Sequence, residues 1–329
     1  MEKIAVGIVG TGMCVPEKIL TNDELAGILN VSEEWIETMS GIRQRHIAAP
    51  GQSASDLGLV AAQRALDRAG VAASELDLII VATVTPDTQF PSTACLIGQR
   101  LGLVGTPAFD LTAVCSGFVY GVTVAEQFIR SGLYRTVLVV GCEVVSSVTN
   151  WADRDTCLLI GDGAGAVVLR QVPAVYGILS ATLGADGSGG KYMMVPAGGS
   201  REPATAEVLE QKRNKMQMNG SEVFKFAMKK LPEATEQALA LAGLGVGDLK
   251  WIIPHQANRR IIESAARWMD LPLEKFMINV ERYGNTSAAT IPIALHEALE
   301  TGRIESGDLI ALTGFGGGLT WGSLIIRWL

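Results

Sequence analysis

A chain of 329 residues, 48% of them hydrophobic and 37 of them glycine, has the size of about two ordinary domains around a substantial core. Its net charge of −7 argues against nucleic acid as a partner, and its apolar runs are strand-length and interrupted, so no membrane span is expected. The N-terminal ten residues lack a small-residue cleavage site and read as structured chain, not a signal peptide. Cys14, Cys95, Cys115, Cys142 and Cys157 are odd in number and widely spaced. They point to neither a disulfide framework nor a zinc site and fit a reducing cytoplasm.

In chain order, the pattern predicts a helix over 55–70, an apolar strand over 76–83, a helix over 91–101 and a strand over 108–111. The candidate nucleophile Cys115 and a helix follow, then strands near 136–140 and 164–169. A second series repeats the order: helix 221–243, strand 249–253, helix 257–269, strand 276–280, Asn285, a helix, and strands near 309–312 and 323–326. Residues agree as well, since Ala65-Leu-Asp-Arg-Ala-Gly70 precedes Asp77-Leu-Ile-Ile and Ala238-Leu-Ala-Leu-Ala-Gly243 precedes Asp248-Leu-Lys-Trp-Ile-Ile. Cys115 lies 45 residues beyond Gly70 and Asn285 lies 42 beyond Gly243, which assigns both to one slot of a duplicated α/β unit. The expected organisation is an N-terminal half over 1–172, a loop- or lid-rich connection over 173–217, and a C-terminal half over 218–329. Pro232 is expected to kink or restart the long second-half helix.

Three segments concentrate chemistry. Cys115 sits where a β-like run turns into a helix, and a helix start favours thiolate, so its pKa is expected to fall below that of free cysteine. The bland reading is a small buried hydrophobe. Of three histidines, only His255 follows a strand-like run and precedes a helix; His46 and His296 read as structural or solvated. Asn285 also follows a strand pattern. A thiol, an imidazole and an amide from separate stretches are the expected signature of covalent catalysis. Two glycine runs carry less: Gly7-Ile-Val-Gly-Thr-Gly12 lacks a third fingerprint glycine and reads as a strand-end turn, and Gly161–Ala166 leads into a strand and reads as close packing. Lys225, Arg260 and Arg267 belong to a basic cluster in the second half, read either as solvated helix faces or as a docking surface for an acidic protein or a phosphate-bearing cofactor.

These segments, with Glu33-Glu-Trp-Ile36, Gly41-Ile-Arg-Gln-Arg-His46, Phe90-Pro-Ser92, Leu159–Ala166 and Phe315-Gly-Gly-Gly-Leu-Thr-Trp-Gly322, closely resemble the β-ketoacyl-(acyl carrier protein) synthase III family. The resemblance runs nearly end to end. It implies a thiolase-like α/β fold of two duplicated halves, with mixed sheets and helices packed between and outside them. It also implies a cytoplasmic homodimer that condenses an acyl-coenzyme A primer with malonyl-acyl carrier protein, needing no metal or other cofactor. The implied catalytic residues are Cys115, His255 and Asn285. The N–H groups of Cys115 and Gly317 would form the oxyanion hole. Trp35 and Arg154 would meet the adenine end of coenzyme A, Phe90 would reach across the dimer interface, and Lys225, Arg260 and Arg267 would dock the carrier. Met39, where the family often has arginine, and Val114, where it often has alanine, depart from the pattern. A specialised-metabolism condensing enzyme, a papain-like Cys-His-Asn protease and a non-catalytic acyl-binding protein remain as alternatives; the protease's Cys-Gly-Ser-Cys-Trp signature is absent.

Overall fold

The computed structural model describes residues 4–329. The first half comprises β1 (Val6–Cys14), α1 (Ala54–Ala69), β2 (Leu78–Ala82), α2 (Thr93–Arg100), β3 (Ala108–Leu111), α3 (Gly117–Arg130), β4 (Thr136–Glu143) and β5 (Gly163–Gln171). The second comprises β6 (Gly177–Ala185), α4 (Gly220–Leu241), β7 (Trp251–Pro254), α5 (Arg259–Trp268), α6 (Thr290–Glu300), β8 (Leu309–Gly316) and β9 (Thr320–Arg327). One sheet runs β1-β5-β4-β2-β3 and the other β6-β9-β8-β7. In both, the outer two pairings at the first-named end are antiparallel and the rest parallel.

Strand alternation sorts the core into layers. Val137 and Val139 of β4 join α3, α6 and the inner face of the second sheet, whereas Leu138 and Val140 face α1. Helices α4 and α5 cover the outer face of the second sheet through Ala227, Leu231, Ile262 and Ala265. The result is helix, sheet, a central pair of helices, sheet, helix. Helix ends follow local chemistry: Asp56 accepts from Ser53 N–H at the start of α1 (2.8 Å), and Gly70 takes the left-handed C-terminal position (φ 62°).

Four expectations change. Strand β6 lies inside the expected connection over 173–217, pairs with β9, and occupies the place that β1 holds in the other sheet. The second-half strand expected over 276–280 is not formed: Phe276 makes one bridge to Ile252, and Val280–Tyr283 is a helical turn. The backbone there bonds side chains, with Asn279 N–H donating to Gln256 Oε1 (3.0 Å). Gly10 and Gly12 lie within β1 instead of at a turn, and a Cβ on either would come within 2.3 Å of an α1 carbonyl oxygen. Helix α4 continues through Pro232, held by burial of Leu231, Ala234 and Ala238.

The duplication itself has a different register. The turns Val114–Ser116 and Ser287–Ala289 each begin 44 residues after Gly70 and Gly243, the helices α3 and α6 each begin 47 after, and β4 and β8 each begin 66 after. The counterpart of Cys115 is therefore Ala288, and that of Asn285 is Thr112.

Candidate active site

Cys115 sits in the tight turn between β3 and α3. Val114 before it has φ 50°, a left-handed conformation rarely adopted by a β-branched residue, and the surroundings hold it there. Ser116 and Thr320 hydroxyls both donate to Ala113 O (2.8 and 2.9 Å). The end of β8 also presses in: a Cβ at Gly316 would lie 2.6 Å from Cys115 N, so only glycine fits. Cys115 is 4% exposed. Burial, with the Glu143 carboxyl adding to it, pushes its pKa up to about 12 despite the nearby Ser287 hydroxyl. This reverses the expectation of a lowered value, because desolvation outweighs the helix start.

His255 follows β7, its N–H donating to Thr313 O (2.8 Å) and its ring meeting Phe315 edge-on at 5.0 Å. Burial pushes its pKa down to about 3, so the imidazole is neutral. Thr290 Oγ1 lies 2.6 Å from His255 Nδ1 and 3.1 Å from Ser287 O. Thr290 has one hydroxyl proton, and with it on Nδ1 the imidazole's own hydrogen is on Nε2, the tautomer that makes His255 an N–H donor into the cavity. Asn285 is fixed by its backbone, N–H to Leu159 O (2.7 Å) and O from Gly161 N–H (3.1 Å). Its Oδ1 accepts from Ser287 N–H (2.9 Å). A backbone N–H can only donate, so the amide's orientation is set and its NH₂ is left for another acceptor.

Cys115, His255 and Asn285 line one cavity of about 830 Å³, together with Phe315, Met193 and, toward the mouth, Trp35 and Met39. The Arg154 guanidinium lies over the Trp35 ring at 5.9 Å. Asn258 caps α5 by accepting from Arg260 N–H (2.9 Å) and donates to Met39 O (2.9 Å), tying the basic helix to the segment that carries Trp35. Lys225 and Arg260 line the mouth, the former paired with Glu222 and the latter over Phe224. Arg267 is outside the cavity but seven residues along α5 from Arg260, on the same face. Phe90 is not brought to this cavity and is 83% exposed. Gly317 is buried just beyond Gly316, which lines the cavity. Sequence reasoning does not single out Ser287, Thr290 or Glu143; a lone carboxylate ending the apolar run Thr136–Glu143 is the available signal. Among the described residues, no cluster of three His, Cys, Asp or Glu is placed to hold a metal, and no helix is long and apolar enough to cross a membrane.

Two layered halves with a cysteine and a histidine–asparagine pair at their junction define a thiolase-like condensing architecture. Family profiles agree: residues 109–187 match 3-oxoacyl-[acyl-carrier-protein] synthase III and 239–328 match its C-terminal region. The β-ketoacyl-[acyl-carrier-protein] synthase III of Caldanaerobacter subterraneus subsp. tengcongensis is 52% identical, covering 99% of each chain. That of Desulfitobacterium hafniense strain Y51 is 51% identical over 99% of this chain and 98% of its own. The crystal structure of 3-oxoacyl-[acyl-carrier-protein] synthase III from Aquifex aeolicus VF5 superposes with a TM-score of 0.91 at 42% identity, covering 98% of this chain and 100% of the other. The chain belongs to the β-ketoacyl-[acyl-carrier-protein] synthase III family and is a condensing acyltransferase with the thiolase-like fold.

Proposed function

We propose that the chain initiates fatty-acid synthesis by condensing an acyl-coenzyme A primer, acetyl in the simplest case, with malonyl-acyl carrier protein. The observation that carries the reading is the convergence of Cys115, His255 and Asn285 on one cavity whose mouth bears Trp35, Lys225 and Arg260. In the first half-reaction the Cys115 sulfur attacks the acyl thioester and the coenzyme A thiol departs with the proton. The N–H groups of Cys115 and Gly317 receive the oxyanion. The adenine end lies against Trp35 and Arg154, with Met39 replacing a cation there.

In the second half-reaction malonyl-carrier loses carbon dioxide, and the resulting enolate attacks the acyl-cysteine. Neutral His255, donating from Nε2, and the Asn285 amide NH₂ supply two hydrogen bonds to the enolate oxygen. The sulfur leaves as thiolate and regains a proton from water. This cycle requires no metal or other cofactor. Lys225, Arg260 and Arg267 receive the acidic carrier. The working form is a cytoplasmic homodimer, in which exposed Phe90 meets the partner's cavity. Intact-mass measurement after mixing with acetyl-coenzyme A tests the reading: one acetyl group per chain, on the Cys115 peptide, is expected, and an unmodified chain across a panel of acyl-coenzyme A primers overturns it.

A further inference from the structure

The buried carboxyl of Glu143 has no place in the cycle above, yet only the Ser287 hydroxyl stands between it and the sulfur. It ends β4 and receives five neutral donors. Oε2 takes the Thr83 hydroxyl (3.1 Å), the N–H groups of Val84 and Thr85 (3.1 Å each) and the Thr85 hydroxyl (2.6 Å). Thr83 Oγ1 itself accepts from Thr85 N–H (3.1 Å) and Thr85 Oγ1 from Val144 N–H (2.9 Å), and the Val84 and Thr85 N–H groups on Oε2 can only donate. Oε2 must therefore be an acceptor. Oε1 takes the Ser287 hydroxyl from the other half of the molecule (2.9 Å) and shares the Val84 N–H (3.2 Å), which also reaches Oε2.

Ser287 holds the site together. Its N–H orients Asn285, its carbonyl lies 3.1 Å from the Thr290 oxygen that meets His255, and its hydroxyl faces both Glu143 and the Cys115 sulfur. That hydroxyl has one proton. Burial pushes the Glu143 carboxyl above its ordinary value, and the donors from Thr85, Val84, Ser287 and Thr83 pull it back down; ionised, it is a much stronger acceptor than a thiol sulfur, so the Ser287 proton goes to Glu143. Cys115 is left with a carboxylate's field and no donor from Ser287. The buried Cys142 thiol also feels this carboxylate and is held up by burial first, then by Glu143, Asp110 and Asp87.

We propose that Glu143 is a positioning residue that keeps Cys115 a thiol in the empty site by claiming the only hydroxyl proton of Ser287. This rests on Cys115 as the nucleophile, and it predicts an unusual consequence. In Glu143→Gln the amide oxygen must occupy the Oε2 position, since four donors point there, which puts the NH₂ against Ser287. Ser287 then becomes an acceptor and its proton turns to the sulfur, while the repelling charge is gone. Removing a buried carboxylate is expected to make the cysteine more reactive.

The test is the rate of Cys115 alkylation by iodoacetamide across pH, read on the Cys115 peptide by mass spectrometry. Peptide resolution separates it from exposed Cys95. With native circular dichroism retained, Glu143→Gln should alkylate about tenfold faster or more near neutral pH, with the curve's midpoint moved to lower pH. The double variant Glu143→Gln/Ser287→Ala should lose part of that gain. A Glu143→Gln midpoint that stays put or rises overturns the proposal. Should that variant fail to fold, Ser287→Ala decides alone: an unmoved midpoint is expected, and a raised one means the hydroxyl already serves the sulfur. Alkylation needs no substrate, so an acylation failure in the intact-mass assay would sink the functional reading without altering this measurement.

Discussion

The turn at Val114–Ser116 and the turn at Ser287–Ala289 are the same device used twice. Each is one residue in the left-handed region (φ 50° and 51°) between a strand-like segment and a central helix. The first presents Cys115 to the cavity. The second has Ala288 in that slot, packed in the core, and its chemistry comes from the flanks: Asn285 before the turn, Ser287 on it and Thr290 after it. Duplication supplied two equivalent helix starts facing one junction; only the first received a nucleophile, and the second became the support for a pair of hydrogen-bond donors.

The sharpest break of this comparison is Cys115→Ala, expected to abolish acyl-enzyme and condensation together, as read by intact mass and product assay. Cys115→Ala/Ala288→Cys should stay inactive, because Ala288 is 1% exposed and its carbonyl packs on Gly141; an acyl group on the peptide spanning the second turn of that variant would show the two slots to be interchangeable. Next come His255→Ala and Asn285→Ala. Each should still acylate Cys115 but decarboxylate malonyl-carrier about 10²–10³-fold more slowly, since each removes one preorganised donor. Single-turnover assays separate the two steps. Loss of acylation with normal decarboxylation would move that residue to the first half-reaction.

His255 also leaves a pH signature. Its folded pKa, about 3, lies below the ordinary 6.5, so the unfolded chain binds the extra proton between those values and stability falls as pH drops through them. Between pH 6.5 and 5 the histidine should cost about 2 kcal/mol in denaturant titrations. His255→Gln should flatten that slope, and an unchanged slope would mean that the ring is hydrated. The smallest effect belongs to the rim: Arg260→Glu should raise KM for malonyl-carrier a few-fold and weaken its salt dependence while leaving acylation by acyl-coenzyme A alone.

Much of this was legible in the sequence because it is local. Cys115 and His255 each follow an apolar strand, and strand-end positions converge wherever parallel sheets pack; Asn285 follows a helical turn in place of the expected strand. The slot assignment failed by three residues because the second half lacks the counterpart of β3: Phe276 makes one bridge, and the path to the turn is different. Strand β6 was hidden in a glycine-rich region that reads as linker, since its partner β9 lies over a hundred residues away. The thiol's pKa was misread for a similar reason. A helix start is visible in a ten-residue window, whereas burial and the approach of Glu143 depend on contacts from both halves.

The 4% exposure of Cys115 at the floor of an 830 Å³ cavity also acts as a gauge. A folded partner's surface cannot descend to that sulfur, and a polypeptide threaded in would have to strip its backbone of water against Phe315 and Met193. What can reach it is a slender, mostly apolar arm with its reactive carbonyl at the tip and its bulk left outside. The two cargoes of the cycle differ enormously in mass, a nucleotide in one case and a protein in the other. At the depth where bonds change they need share only the width of a single chain.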